Sequence, residues 1–406
     1  MNRPLCAAVL ALALVAAGPV AAPPPGAAGL SVAGQRVAVA ATPAPSGAAD
    51  TSVVMGARAA GFHETIVTTG LDSPVSMAMA PDGRAFVCEQ GGRVRVIRDG
   101  RLLARPFVTV PTRGDIEEGL LGVAFDPGFA SNRLVYVLYT ALTPRRHNRV
   151  VRYQAAGDTV VPGSERAIFE LDENTAHLHV GGALHFGRDG MLYIGTGDNE
   201  DDARAQSLRT TFGKLLRIRP DGGIPRDNPF VSVAEGKYRA IFARGLRNVF
   251  SLDVDPRDGK MFLNDVGGSE FEEVDLAIAG GNYGWPLYEG PGEHQGFRFP
   301  VHAYPHSLGC AITGGAFYVP QHPAYPAEWV GRYFYAEFCG SELRWLDPRS
   351  PARAHRFLKT RVPGPVDVRV GPDGTLWYLA RGNVVPEGGG HVPGGVLLRI
   401  AYERGR

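Results

Sequence analysis

One pattern returns six times along this chain, and it leaves little choice of fold. An apolar strand runs into an Asp-Gly type turn, a second strand and a polar loop follow, and a third strand alternates apolar and basic residues. The copies read MAMAPDGRAFVCEQGGRVRVIRDG; VAFDPGFASNRLVYVLYT with NRVVRYQ; LHFGRDGMLYIGTGD with GKLLRIRPDG; LDVDPRDGKMFLNDVG with EEVDLAI; GGAFYVP with GRYFYAEFCGSELRWLD; and VRVGPDGTLWYLARGN with GGVLLRIAY. Apolar runs of alternating pattern between Gly, Pro and Asp clusters read as strands. A unit this small cannot bury its own apolar face, so its neighbours must cover it. Six units in an open row leave sheet edges exposed, and radial closure protects them. The expected fold is all-β, a six-bladed β-propeller, with the strand HETIVTT at 63–69 completing the last blade. A β-sandwich or several small β domains is the alternative that the repeat disfavours. The 53 glycines and 32 prolines among 406 residues agree with a turn-rich chain of short strands.

The repeat begins only near Gly61. Before it, MNRPLCAAVLALALVAAGPVAA (1–22) has a basic start, an apolar run from Leu5 to Ala17 and small residues at Val20-Ala21-Ala22, the layout of a secretory signal. Residues 23–60 are rich in Ala, Pro and Gly without amphipathic period and read as a disordered linker, which leaves 61–406 as the propeller domain. The expected location is therefore secreted or periplasmic. No stretch beyond the signal approaches the roughly 20 apolar residues of a membrane span. Lys and Arg (42) nearly cancel Asp and Glu (41) with no block of like charge, so nothing asks for nucleic acid or an anionic membrane.

Export permits disulfides. Beyond Cys6 in the signal, Cys310 lies in the loop-like HSLGCAITGG and Cys339 in YAEFCGSELRW, and these two are expected to pair. Cys88, in the alternating strand AFVCEQ, is expected to stay a small buried apolar residue.

Ligands of a propeller collect where the loops of its inner strands converge on one end of the central channel. The unusual loops are GDIEEGLLG (114–122), HVGG (179–182), GLRNVF (245–250), DVGGSEFEEVD (265–275) and GGNYGWP (280–286). On residues alone, Arg247 is equally an ion-pairing side chain, Asn248 a turn former, the two glycines a bulge, Glu272 and Glu273 a solvated acidic face and Tyr283 a core tyrosine.

In order, EEGLLGVAFDPGF, HVGG…FGRDGMLYIGTGD, GKLLRIRPDGGIPRDNPF, GLRN, DVGGSEFEEVD, GGNYGWP and ITGGAFYVP resemble the soluble glucose/sorbosone (aldose sugar) dehydrogenases that use pyrroloquinoline quinone (PQQ), from about residue 62 to the C-terminus. The resemblance implies an exported PQQ- and calcium-dependent dehydrogenase acting at the anomeric carbon of an aldose or a related alcohol or aldehyde. It implies His179 as the general base for the anomeric hydroxyl, a role that suits an imidazole near neutral pH. Gly181 and Gly182 would let cofactor and sugar approach the backbone. Arg247 and Asn248 would lie over the cofactor, with Arg247 stabilising charge on the reduced quinone. The carbonyls of Gly267 and Gly268 would hold calcium against the quinone, which suits that ion's preference for oxygen. Glu272, Glu273 and Tyr283 are similar to residues around a second, structural calcium. Glu117 would face the substrate.

The chain departs from the pattern at several positions. Glu117 stands where sugar-oxidising members carry glutamine, Leu178 where some carry aspartate, and Ala183 where arginine follows the glycine pair. Cys339 stands in place of a lysine, and Gly364 and Val366 in place of two arginines, that face the cofactor carboxylates. PQQ is a tricarboxylate, so three missing cations are expected to weaken its binding. No Cys-x-x-Cys-His haem sequence occurs, so electrons are expected to pass to an external acceptor. Two other functions fit the same architecture: a calcium-dependent lactonase, with Glu117 or His179 activating water and Glu117 and Asp265 in a carboxylate cage, and a non-catalytic extracellular binding propeller.

Overall fold

A computed structural model describes residues 53–54, 60–382 and 394–403. The six sheets it contains are the six repeats, each running outward from the central channel. The innermost strands are Pro74–Met79, Leu120–Phe125, Leu184–Phe186, Val249–Val254, Ile312–Phe317 and Pro365–Val370. The strand expected to complete the last blade is Phe62–Leu71, which pairs antiparallel with Gly395–Tyr402 and so joins the two ends of the propeller in one sheet. Phe62 fixes that closure: its ring lies 4.9 Å from Tyr325 and 4.8 Å from Phe357, both edge-on. Removing such a ring typically costs about 3–5 kcal/mol.

Every blade packs its apolar face on the next, so the core is a ring of clusters. One unites Phe86, Val94, Phe107, Val137 and Tyr153 of blades 1 and 2; another unites Leu138, Leu184, Ile194 and Leu216 of blades 2 and 3. Cys88 is buried and free, and burial pushes its thiol up to about 12. Cys310 and Cys339 form the expected disulfide, with Cα atoms 5.7 Å apart.

Five of the six innermost strands begin with a register shift against their neighbours, at Pro74/Ser76, Leu120/Gly122, Val249/Ser251, Ile312/Gly315 and Pro365/Asp367. Such irregularities re-aim side chains at the end of a sheet, and all five lie at the same mouth of the channel. Blade 3 goes further: its inner strand has only three residues, Gly182 and Ala183 before it keep two backbone bonds to Gly195, and His179–Gly181 leave the ladder.

Within the span read as a linker, Val53–Val54 pair in parallel with Ala354 and His355 on the outer edge of blade 5. The signal and the rest of that linker lie outside the described residues. Among the described residues, no helix is long and apolar enough to cross a membrane.

Candidate active site

The freed segment of blade 3 is held in an unusual shape. His179 has φ +51°, a left-handed conformation that a non-glycine residue adopts only when its surroundings impose it. Asn199 imposes it. Its side-chain oxygen accepts the N–H groups of Thr175 (2.7 Å) and Ala176 (3.1 Å), its amide nitrogen donates to the carbonyls of Ala176 (2.9 Å) and Leu178 (3.1 Å), and its own N–H donates to the His179 carbonyl (3.1 Å). Gly181 has φ +73°, and a Cβ there would meet the Gly195 carbonyl at 2.5 Å and the Thr196 Cα at 2.6 Å. Its small size is required by the neighbouring strand.

The loop aims His179 into a closed network. Nδ1 lies 2.8 Å from Asp198 Oδ1, and Nε2 lies 2.9 Å from Nη2 of Arg247. A guanidinium can only donate, so Nε2 carries the lone pair and Nδ1 the proton. Asp198 Oδ1 also accepts the Glu200 N–H (3.0 Å), and Oδ2 accepts the indole N–H of Trp285 (2.8 Å). Arg247 lies over the Trp285 ring, 5.4 Å from its centroid, and donates to the Val266 carbonyl at 3.0 Å. Burial pushes the Asp198 carboxyl up, but the hydrogen bond and charge of His179, with Arg247 and Trp285, outweigh it and hold the group below its ordinary range.

Arg247 and Asn248 are fixed from below by Asp265, whose Oδ2 accepts the Arg247 N–H (2.9 Å) and whose Oδ1 accepts the Asn248 N–H (2.5 Å). The Asn248 side chain then bridges two other blades. Its oxygen accepts the Gly181 N–H (3.0 Å) and its nitrogen donates to Glu117 Oε2 (3.3 Å). Glu117 is half-buried, and burial raises its carboxyl despite the attraction of His179 and Arg247. His179, Arg247, Asn248 and Glu117, distant in sequence, thus meet at one mouth. Beneath them the channel is nearly closed, with a void of about 20 Å³ bordered by Ser76, Gly181, Gly182, Asp367 and Arg369.

The loop of Gly267 and Gly268 follows Val266 directly. A Cβ on Gly267 would strike the Phe271 carbonyl at 1.5 Å, so this tight return requires glycine, and Glu289 receives the N–H of Gly268 at 2.7 Å. Glu272 is fully engaged: it accepts His306 Nε2 and the Ile312 N–H, both at 2.9 Å. The Tyr283 hydroxyl donates to the Leu276 carbonyl and receives the Ile278 N–H, which pins its own turn. Glu273 lies with Asp265 and Asp275 in a buried cluster whose carboxylate oxygens are within 4.8 Å of one another. Both Asp275 oxygens are buried without a hydrogen-bond partner, and burial together with the Asp265 charge holds that carboxyl well above its ordinary range. Three crowded carboxylates with two orphaned oxygens form a donor set that suits a hard divalent cation.

Sequence reasoning did not assign Asp198, Asn199 or Trp285. Asp198 ends the run LHFGRDGMLYIGTGD, Asn199 follows it directly and Trp285 stands in GGNYGWP, but only the fold places them around His179. Of the three positions without the expected cations, Cys339 is in the disulfide, Gly364 has φ +67° and Val366 is buried against Leu71 and Met77.

The Glucose / Sorbosone dehydrogenase family profile matches residues 71–385. The aldose sugar dehydrogenase YliI of Escherichia coli (strain K12) is 28% identical over 330 residues, covering 76% of this chain and 87% of that protein. The crystal structure of the soluble aldose sugar dehydrogenase from Escherichia coli in its apo-form superimposes with a TM-score of 0.74 at 26% identity, over 84% of this chain and 100% of that one. The PQQ-bound aldose sugar dehydrogenase of Streptomyces coelicolor gives 0.70 at 28% identity, over 86% and 100%.

Proposed function

The chain belongs to the glucose/sorbosone dehydrogenase family, and from that premise we propose that it is an exported, PQQ- and calcium-dependent dehydrogenase that oxidises an aldose, or a related alcohol or aldehyde, at the anomeric carbon. The observation that carries the reading is the state of His179: Nδ1–H is tied to the ionised Asp198, which makes Nε2 the ring's acceptor, held at the mouth by Arg247 until a substrate hydroxyl takes that place.

PQQ, when bound, supplies a two-electron acceptor. The chain's own residues supply the rest. His179 Nε2 takes the proton of the anomeric hydroxyl, and Asp198 stabilises the imidazolium that results. Once protonated, Nε2 can no longer accept from Arg247, so proton uptake frees a guanidinium N–H toward the mouth, where a fixed positive charge favours an acidic, reducible ligand. Asn248 and Glu117 orient the sugar beside them. The donor chemistry of this mouth, a guanidinium held over an indole with its Nε buried and unpaired, fits an anionic planar cofactor. Calcium would be held against the quinone by the Gly267 and Gly268 carbonyls, and the Asp265–Glu273–Asp275 cluster fits a second divalent ion.

A lactonase would need an open carboxylate cage. Asp265 lies beneath the mouth, beside Glu273 and Asp275 and under the Arg247 and Asn248 N–H groups, which leaves Glu117 as the carboxylate that reaches Asn248 at the mouth. The test is reconstitution of purified apo-protein with PQQ and calcium, followed by cofactor absorbance and dye reduction over a panel of aldoses. Saturable cofactor binding with sugar-dependent dye reduction is expected; neither appearing would end the dehydrogenase reading.

A further inference from the structure

At the mouth that holds His179, each blade's second strand gives way to a loop, and the residue at that point is Gln90, Leu142, Thr196, Val266, Phe338 or Arg381 in blades 1 to 6. Arg381 is the one charged residue of the six. We propose that Arg381 is an anchoring residue for a carboxylate of the quinone cofactor, supplying from blade 6 a cation that the mouth otherwise lacks on that side. The inference rests on the quinone reading above and adds a binding residue to it.

The backbone of Arg381 is fixed: its N–H donates to the Gly364 carbonyl at 2.9 Å, and the Gly382 N–H donates to Pro363 at 3.3 Å. The side chain is half-buried and reaches across to blade 1, where Nη2 donates to Gln90 Oε1 at 2.7 Å. Gln90 in turn donates to the carbonyls of Ile116 (2.8 Å) and Glu118 (3.0 Å), the residues on either side of Glu117. The guanidinium is thus tethered to the loop whose carboxylate touches Asn248.

What the side chain lacks is a counter-charge. Arg84, Arg93 and Arg217 each hold two carboxylates within ion-pair distance. Arg381 has no ion-pair partner among the described residues, and its one side-chain acceptor there is a neutral amide oxygen. Asp72 attracts it from a distance but is itself engaged by Arg93 at 3.0 Å, and burial pulls the Arg381 guanidinium below its usual range. A partly desolvated cation with unused, coplanar N–H donors is costly unless an anion completes it, and a carboxylate matches that fork. Position agrees with chemistry: Arg381 is hydrogen-bonded to Gly364, so the charge absent from the start of blade 6's inner strand returns on the strand beside it.

The test uses full-length apo-protein titrated with PQQ in the presence of calcium, with bound cofactor read by tryptophan fluorescence and by equilibrium dialysis, independently of turnover. Arg381→Gln is expected to raise Kd about tenfold or more and to flatten its salt dependence, with Arg381→Lys between the two and the exposed control Arg349→Gln unchanged. The trimethyl ester of the quinone provides a second arm: esterification should cost wild-type protein more affinity than it costs Arg381→Gln. Wild-type binding with Arg381→Gln within twofold of it, or an equal ester penalty in both proteins, overturns the inference and leaves the quinone reading intact. Absence of saturable wild-type binding at tens of micromolar overturns both. If Arg381→Gln fails to fold, by near-ultraviolet circular dichroism, Arg381→Lys and the ester decide, and an unchanged Kd in both overturns the anchor.

Discussion

Replacing Asp198 by asparagine exchanges one oxygen for an amide nitrogen at the centre of the network and tests its logic directly. Three donors converge on the carboxylate: His179 Nδ1–H (2.8 Å) and the Glu200 N–H (3.0 Å) on Oδ1, and the Trp285 indole N–H (2.8 Å) on Oδ2. An amide has one acceptor oxygen. In the rotamer that keeps His179 satisfied, the new NH₂ faces the indole N–H, so one charge-assisted bond is lost and a donor is stranded. The side chain is fully buried, which removes any solvent discount. A hydrogen bond to a charged group contributes about 1.5–3 kcal/mol and a stranded buried donor costs about 1–3 kcal/mol, so a net loss of about 2–4 kcal/mol is expected once the indole relaxes. Urea unfolding of Asp198→Asn and wild type at pH 7 measures it. Asp201→Asn, three residues along the chain in an exposed ion pair with Arg204, should lie within about 0.5 kcal/mol of wild type. Because the folded-state carboxyl of Asp198 is depressed, its contribution is present above the unfolded value of 3.8 and is lost as pH falls through the folded one, so the variant should also show a shallower acid limb. An Asp198→Asn stability within 0.5 kcal/mol of wild type would refute the claim that this carboxylate carries three donors.

In reconstituted protein, His179→Ala should cut turnover by roughly 100-fold or more while PQQ affinity changes far less, whereas Arg247→Ala should impair both; equal effects on binding would refute the separation of roles. Burial raises the Asp367 carboxyl to about 6 against the pull of Arg369 and the N–H groups of Met77 and Val368, so its stabilising contribution is full below the unfolded value of 3.8 and is lost as pH rises through about 6. Asp367→Asn should therefore gain on wild type by up to about 3 kcal/mol between pH 4 and 7 in urea unfolding; a pH-independent difference would contradict it. Calcium should raise the wild-type Tm and chelation lower it, while Asp275→Asn should blunt both responses, because it replaces one of the two orphaned oxygens by an amide nitrogen and removes the negative charge from the carboxylate cluster; an undiminished calcium response in the variant would place the ion elsewhere.

The fold was legible because its signals are local. Alternation, Asp-Gly turns and a sixfold return appear within short windows, and closure follows from the need to cover edges. The irregularities that build the mouth were not legible. A register shift such as Leu120/Gly122 leaves no mark in composition, since it arises where one strand must bend toward the channel. The acidic run FEEVD shows the same limit. Glu273 and Asp275 lie two apart on one face of a strand, and only the packing of blade 4 decides that this face is buried and Asp265 is opposite.

The candidate site divides along the same line. Residues in distinctive loops, His179, Arg247, Asn248 and Glu117, could be picked out, while the residues that hold them could not. Asn199 holds His179 in a left-handed conformation that turns the ring to Asp198, a matter of backbone geometry. Two buried acids therefore set the mouth from beneath, by different means. Asp198 positions a side chain and is kept ionised by the cations around it. Asp265 positions a backbone and is pushed up to about 7 by burial, because its partners are chiefly the N–H groups of Arg247 and Asn248. Of the bonds between the two groups, the one from Arg247 reaches the imidazole itself, at Nε2 of His179. It is also the contact that protonation of that nitrogen must break. The arrangement therefore ties proton uptake by the imidazole to release of the guanidinium, with the supporting acids left in place on either side.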